Sequence, residues 1–204
     1  MKVLLTGSSK GIGFNIAKTL INEGHDIALH YNKNKSALDT LLKDSKTNSF
    51  TIQSDLSDSS QVKDLVNNTI DKLSFPDCII NNAGIAESAD VSIDFEKWNE
   101  LFDRTIDVNL KAPSLIFKEF IKYKRANKIK SRLRFINIAS RAAYRGEQED
   151  YISYACSKGG MISLTKTMSR SFGETDNTVA ISIAPGFVRT EMAQSFIDKH
   201  GEDV

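Results

Sequence analysis

The chain of 204 residues reads as one α/β domain over 1–204, a doubly wound three-layer sandwich with a parallel sheet at its centre. Three features predict this. Short β-branched runs alternate with longer segments of helical periodicity from end to end. Several of those runs are apolar without alternation, as strands covered on both faces must be. A glycine-rich turn joins the first run to the first helical segment. In such a fold the ligand sits beyond the carboxyl ends of the strands, so the loops that follow strands hold the chemistry.

Taken in order, Val3–Thr6 is the first strand, and Thr6-Gly7-Ser8-Ser9-Lys10-Gly11-Ile12-Gly13 opens a helix in which Ile12, Ile16, Ala17, Leu20 and Ile21 recur at helical spacing. The three glycines let the backbone turn sharply, approach a pyrophosphate and pack the helix start on the strand, while unpaired helix N–H groups face the anion. A turn that only joins strand to helix would need one or two of them. Ile27–Tyr31 is the second strand, followed by Asn32-Lys33-Asn34-Lys35. A site for NAD usually has a carboxylate here for the ribose 2′-hydroxyl, whereas a 2′-phosphate needs cations. No carboxylate is present; Lys33 can approach a phosphate from one side and Lys10 from the other, unless both are simply exposed loop residues. Phe50–Ser54 is the third strand, and Asp55 behind it suits the N-cap region of the helix carrying Val62, Leu65, Val66, Ile70 and Leu73. Cys78–Asn81, Arg134–Ser140 and Val179–Ala184 complete the strands, and Glu191–Lys199 is helix-like.

Composition narrows the function. A balance of 27 Lys+Arg against 26 Asp+Glu gives a net charge of +1, too little to draw nucleic acid or an anionic membrane surface. The basic stretch Lys118–Arg134 reads as the solvated end of a helix that carries Leu115, Ile116, Phe120 and Ile121 on one side. Cys78 and Cys156 lack the spacing of a metal knuckle or a disulfide framework. His25, His30 and His200 lie far apart and read as solvated or capping side chains, so no metal site is expected. MKVLLTG turns polar too soon for a signal peptide, and no apolar run approaches the ~20 residues of a membrane span, which predicts a cytoplasmic protein. Three prolines and no linker-like stretch leave no boundary for a second domain.

Reduction of a carbonyl by hydride requires a proton donor at the substrate oxygen, and a tyrosine beside a lysine is one solution, since an ammonium stabilises the phenolate. Tyr154 and Lys158 stand four apart on an expected helix and share a face. Tyr31 and Lys35 have the same spacing, so position must choose: Tyr154 follows the fifth strand, with Ser140 at that strand's end.

The Gly-x-x-x-Gly-x-Gly spacing of Gly7, Gly11 and Gly13, the Asn81-Asn82-Ala83-Gly84 segment, the order Ser140, Tyr154, Lys158, and Pro185-Gly186-Phe187-Val188-Arg189-Thr190 resemble the short-chain dehydrogenase/reductase family from Lys2 to about Met192. The resemblance implies a Rossmann-type fold and hydride transfer between a nicotinamide cofactor and a carbonyl or secondary alcohol. It makes Tyr154 the proton donor and acceptor, with Lys158 lowering its pKa and binding the nicotinamide ribose, and Ser140 holding the substrate oxygen. Asn109, in Asp107-Val108-Asn109-Leu110, matches the residue that kinks a helix and holds a water of the proton relay. The cofactor would lie on Gly7, Ser9, Lys10, Gly11, Ile12 and Gly13. Asn32 and Lys33 would take its ribose phosphate, and Asp55 and Leu56 its adenine. Asn82, Ala83 and Gly84 would lie beneath it, and Pro185, Gly186, Val188 and Thr190 against the carboxamide. With a basic residue before the second glycine, NADP(H) is expected over NAD(H).

The substrate class implied is a small carbonyl or alcohol, a 3-oxoacyl thioester first; a sugar, polyol or other small alcohol is the alternative, and a dinucleotide-binding sensor without catalysis a third. Ser140 to Tyr154 is one residue longer than in the simplest members, and Arg145, Glu147, Glu149 and Asp150 lie between them. Basic residues for acyl-carrier docking would be Lys128, Lys130 and Arg132, with Arg170 on the helix after Lys158. Members usually form dimers or tetramers through helices equivalent to Asn109–Tyr123 and Tyr154–Phe172; the stripes Leu115/Phe117/Phe120 and Met161/Leu164/Met168 suit that interface or the core equally. Members also usually continue to a seventh strand, which is expected to be absent here.

Overall fold

The computed structural model describes residues 1–191 together with Gln194, Ile197 and Asp198. Most of the expected helix Glu191–Lys199, and His200, lie outside the described residues. Strands β1 (Lys2–Leu5), β2 (Asp26–Tyr31), β3 (Phe50–Gln53), β4 (Cys78–Asn81), β5 (Leu133–Ile138) and β6 (Thr178–Ile183) alternate with helices α1 (Gly11–Asn22), α2 (Ser36–Leu42), α3 (Ser59–Leu73), α4 (Phe95–Ile106), α5 (Ala112–Ala126), α6 (Ala142–Arg145) and α7 (Ile152–Phe172). All six strands are parallel in the order β3-β2-β1-β4-β5-β6. The chain order reverses between β1 and β4, where a doubly wound sheet opens a crevice.

The apolar runs bury both sheet faces, as their lack of alternation requires. On one face Leu4, Ala28, Ile79 and Phe135 pack with Leu65, Val66, Ile116 and Phe120 from α3 and α5. On the other, Val3, Leu5, Ile27 and Leu29 meet Ala17 and Ile21 of α1 and Leu38 of α2. Phe117, Phe120, Met161 and Met168 are buried, so the two helix stripes are core and an assembly contact would have to use other residues. β6 is an edge strand among the described residues, and Val179, Ile181 and Ile183 are exposed along it.

The structure corrects several local expectations. The N-cap of α3 is Asp58, whose carboxylate accepts from Ser60 and Gln61 N–H, rather than Asp55. Lys124, at the end of α5, is buried instead of solvated: it donates to the Ile129 and Ser131 carbonyls and so ties off the turn that leads into β5. His30 is buried too, because β2 is flanked by strands on both sides. α4 goes beyond the periodic segments read from the sequence. It runs into α5 through a π-helical turn, Asp107–Lys111, in which Ala112 N–H donates to the Asp107 carbonyl five residues back. Pro113 explains this turn: it has no N–H for the Asn109 carbonyl four residues earlier, so the helix widens there. No helix among the described residues is long and apolar enough to cross a membrane.

Candidate active site

The crevice between β1 and β4 is bounded by the glycine loop. Gly7 has φ +64°, and a Cβ there would stand 2.7 Å from the Ala83 Cα. At Gly13 a Cβ would stand 2.1 Å from the Gly7 carbonyl oxygen and 2.4 Å from Asn82 Nδ2. The loop after β4 is laced to this turn. Asn82 and Ala83 N–H both donate to Thr6 Oγ1 at 3.0 Å, and Asn82 Nδ2 donates to the Thr6 and Gly7 carbonyls at 3.1 and 2.9 Å. Whereas Asp58 and Asp94 cap α3 and α4, no side chain caps the start of α1. Its first-turn N–H groups open on the cavity, where a phosphate oxygen would satisfy them. The residues present therefore fit the pyrophosphate of a dinucleotide.

A cavity of about 370 Å³ runs from this loop to the carboxyl end of β5. It is lined by Gly7, Ser9, Lys10, Gly11, Ile12, Gly13, Asn32, Asp55, Leu56, Asn82, Ala83, Gly84, Pro185, Gly186, Val188 and Thr190, and at its other end by Ser140, Tyr154 and Lys158. Lys33 and Asn109 are not on its wall. Lys33 is exposed on the loop after β2, whereas Lys10 lies on the wall and pairs with Glu191 at 2.8 Å. Asp55 accepts from Ser57 N–H and Oγ, which holds its carboxyl below the usual range. Lys35 pairs with Asp39, and Tyr31 packs against the core.

At the other end of the cavity, β5 stops at Ile138, two residues short of the expectation, which frees Ala139 and Ser140 for the cavity wall. α7 then presents Tyr154 and Lys158 on one face. Tyr154 and Ser140 share the cavity wall, and Lys158 Nζ lies 5.7 Å from the phenol ring centre while donating to the Ile138 carbonyl at 2.8 Å. Burial with no carboxylate partner lowers Lys158 to about 8. Burial pushes the phenol up; the nearby Ser140 hydroxyl pulls it down and the Glu147 carboxylate adds to the rise. The expected lowering of the phenol by Lys158 is not among these causes, and desolvation sets the direction.

Asn109 stands behind this face. Its Oδ1 accepts from Ile85 N–H at 2.8 Å, and its Nδ2 donates to the Ile85 carbonyl at 2.8 Å and to Ser157 Oγ at 3.0 Å. Both amide hydrogens are used, so the side chain fastens the loop after β4 to α7 and has no N–H left for a water. The sequence reading names Glu147 in the loop between Ser140 and Tyr154 but misses other residues of the wall, among them His30, Arg104, Arg141 and Glu191. Arg141 adjoins Ser140 and Glu191 adjoins Thr190, so adjacency to motif residues was the available signal.

A glycine-bounded cleft at the switch point of a Rossmann-type sheet has the form of a dinucleotide-binding site. The model of a family described as short chain dehydrogenase matches residues 1–201, and the chain belongs to that family, whose members act on CH–OH and C=O groups. It is 32% identical over 202 residues to a 3-oxoacyl-[acyl-carrier-protein] reductase of Rickettsia conorii, covering 98% of this chain and 78% of that one. To the protein of the same name from Synechocystis sp. it is 30% identical over 196 residues, covering 94% and 76%. Among solved structures it resembles 4-hydroxyisoleucine dehydrogenase complexed with NADH, with a TM-score of 0.84 and 30% identity over 98% of this chain and 78% of that one. It also resembles a blue fluorescent protein from a metagenomic library in complex with NADPH, with a TM-score of 0.80 and 28% identity over 94% and 76%.

Proposed function

We propose that the protein is an NADP(H)-dependent carbonyl reductase in which Ser140, Tyr154 and Lys158 carry the chemistry. The observation that carries this reading is the Tyr154 phenol, beside Ser140 on the cavity wall and backed by the buried Lys158, in the same cavity as the glycine loop. A nicotinamide cofactor, when bound, supplies the hydride. Ser140 holds the substrate oxygen, Tyr154 O–H gives it a proton, and Lys158 stabilises the phenolate left behind. A phenol held above its ordinary pKa is fully protonated near neutral pH, which favours the reductive direction. Removing the neighbouring carboxylate in Glu147→Gln stabilises the phenolate, so the alkaline limb of the reduction rate should move to lower pH in a pH–rate profile.

The preference for NADP(H) rests on Lys10, with Asn32 and Lys33 where a site for NAD would place a carboxylate. Lys10→Ala should raise the KM for NADPH roughly ten- to a hundredfold, as loss of one hydrogen bond to a charged group does, and leave that for NADH almost unchanged. Glu191→Gln, which releases Lys10 from its ion pair, should shift NADPH affinity the opposite way. Equal efficiency of wild-type protein with NADH and NADPH would overturn the preference.

For the substrate, the named relatives support a 3-oxoacyl thioester. A second reading, a small polar alcohol or its carbonyl, is favoured by the charged side chains of Arg141 and Glu147 on the cavity wall, and 4-hydroxyisoleucine is a substrate of that kind. The basic residues considered for carrier docking do not help the first reading. Lys128, Lys130 and Arg132 precede β5 at the opposite end of the sheet, and Arg170 lies ~24 Å along α7 from Tyr154 at 1.5 Å per residue. Turnover of an acetoacetyl thioester compared with short hydroxy and keto acids separates the two.

A further inference from the structure

His30 is outside the chemistry described above, yet it touches the turn on which that chemistry depends. Its ring is 2% exposed and lies between two loops. Gly7 N–H donates to Nδ1 at 3.0 Å, and Nε2 stands 3.0 Å from the Ser54 carbonyl oxygen. An N–H can only donate and a carbonyl can only accept, so Nδ1 must keep its lone pair and Nε2 must carry the hydrogen. Only the neutral Nε2–H tautomer meets both demands. The carbonyl of the same residue accepts from Ser8 N–H and Ser8 Oγ, each at 2.9 Å. One residue of β2 therefore fixes both Gly7, at φ +64°, and Ser8, and its ring also lines the dinucleotide cavity.

We propose that His30 is an acid-sensitive positioning residue for dinucleotide binding: its neutral ring holds the glycine loop in the shape that receives the pyrophosphate, and a second proton on the ring releases that loop. In the imidazolium, Nδ1–H would face Gly7 N–H, two donors with no acceptor between them in a site closed to water. The Ser54 carbonyl and the Asp55 carboxylate, on the turn after β3, favour the imidazolium; the cations on the same cavity wall are Lys10 of the glycine loop and Arg104 of α4, and Lys33 after β2 faces solvent. Burial outweighs Asp55 and places the ring below its ordinary value of 6.5, so the clamp is intact at neutral pH and is lost as the pH falls. The sign agrees with linkage: a folded state that resists the proton is weakened in acid relative to one that has let the loop go.

This inference rests on the dinucleotide reading of the cleft, and the test separates the two. The NADH dissociation constant is measured by fluorescence from about pH 8 to about pH 5, alongside the His30 imidazole titration by NMR and a circular-dichroism check of the fold. NADH is the first probe because the 2′-phosphate of NADPH takes up a proton of its own near pH ~6; NADPH is run in parallel. In wild type, affinity should fall roughly tenfold per pH unit below the His30 titration point, with the two midpoints coinciding. The amide oxygen of His30→Asn can accept from Gly7 without titrating. That variant should bind NADH more weakly than wild type at pH ~8 and show no acid limb. The same acid limb in the variant, protonation of His30 with no change in affinity, or a ring that stays neutral until the chain unfolds would each overturn the proposal. Failure of both dinucleotides to bind at pH ~8 would instead refute the cofactor site itself.

Discussion

Tyr154→Phe should lower carbonyl reduction by roughly 10²- to 10⁴-fold, the usual contribution of a positioned proton donor, while cofactor affinity stays within a few-fold of wild type. The expectation follows from what the hydroxyl does and does not touch. Ser140 beside it on the cavity wall accepts from Ala142 N–H, a bond that survives when the phenol is gone, so the loop after β5 retains its anchor. None of the contacts that shape the glycine loop involves Tyr154. The loss should therefore appear in kcat, with KM for the cofactor little changed, as for an interaction made in the transition state. Steady-state kinetics with a small diketone and direct titration of NADPH check the two halves separately. A variant that turns over at the wild-type rate would remove Tyr154 from the mechanism.

Gly13→Ala should have the second large effect, on cofactor binding. Two opposing terms decide the sign. Alanine in place of glycine within a helix is worth up to about 1 kcal/mol in propensity, which would stabilise α1. Against that, the new methyl would lie 2.1 Å from the Gly7 carbonyl oxygen and 2.4 Å from Asn82 Nδ2, and neither can retreat cheaply: one is backbone, and the other is held by two carbonyls. Overpacking of this kind costs about 1–3 kcal/mol, so the clash wins. The loop must open away from Asn82 and carry the α1 N–H groups with it. Titration should show NADPH affinity reduced at least tenfold, together with a lower melting temperature, and a fully bound wild-type-like complex would contradict the geometry.

How much of this could be read in the sequence depended on where the deciding interaction lay. Strand positions were legible because a run covered on both faces loses its polar alternation, and that is a property of the residues themselves. The glycine turn was legible for the same reason: the crowding at Gly13 leaves room for no side chain. The π-helical turn at Asn109 had a local cause too, Pro113, but its effect is felt four residues upstream of the proline. The lysines differ. Lys10 and Lys33 look alike as loop cations, and only the path of the loop after β2 decides that Lys10 reaches the cavity wall and Lys33 faces solvent. His30 and Lys124 were misread as solvated because a polar side chain carries no mark of burial; the carbonyls that receive them come from distant segments, Ser54 for one and Ile129 and Ser131 for the other. Tyr154 shows the same limit in its energetics. Spacing puts an ammonium near the phenol, but the depth of the pocket and the Glu147 carboxylate determine which way the phenol moves.

The most direct measurement of the central claim is the rate of NADPH oxidation by the 204-residue chain with an acetoacetyl thioester and with a small diketone, set beside NADPH binding by the same preparation. The account predicts binding together with reduction of at least one of the two carbonyls, abolished in Tyr154→Phe. Binding of NADPH with no turnover of these or of short keto acids would contradict it and leave a dinucleotide-binding protein that does not use its tyrosine.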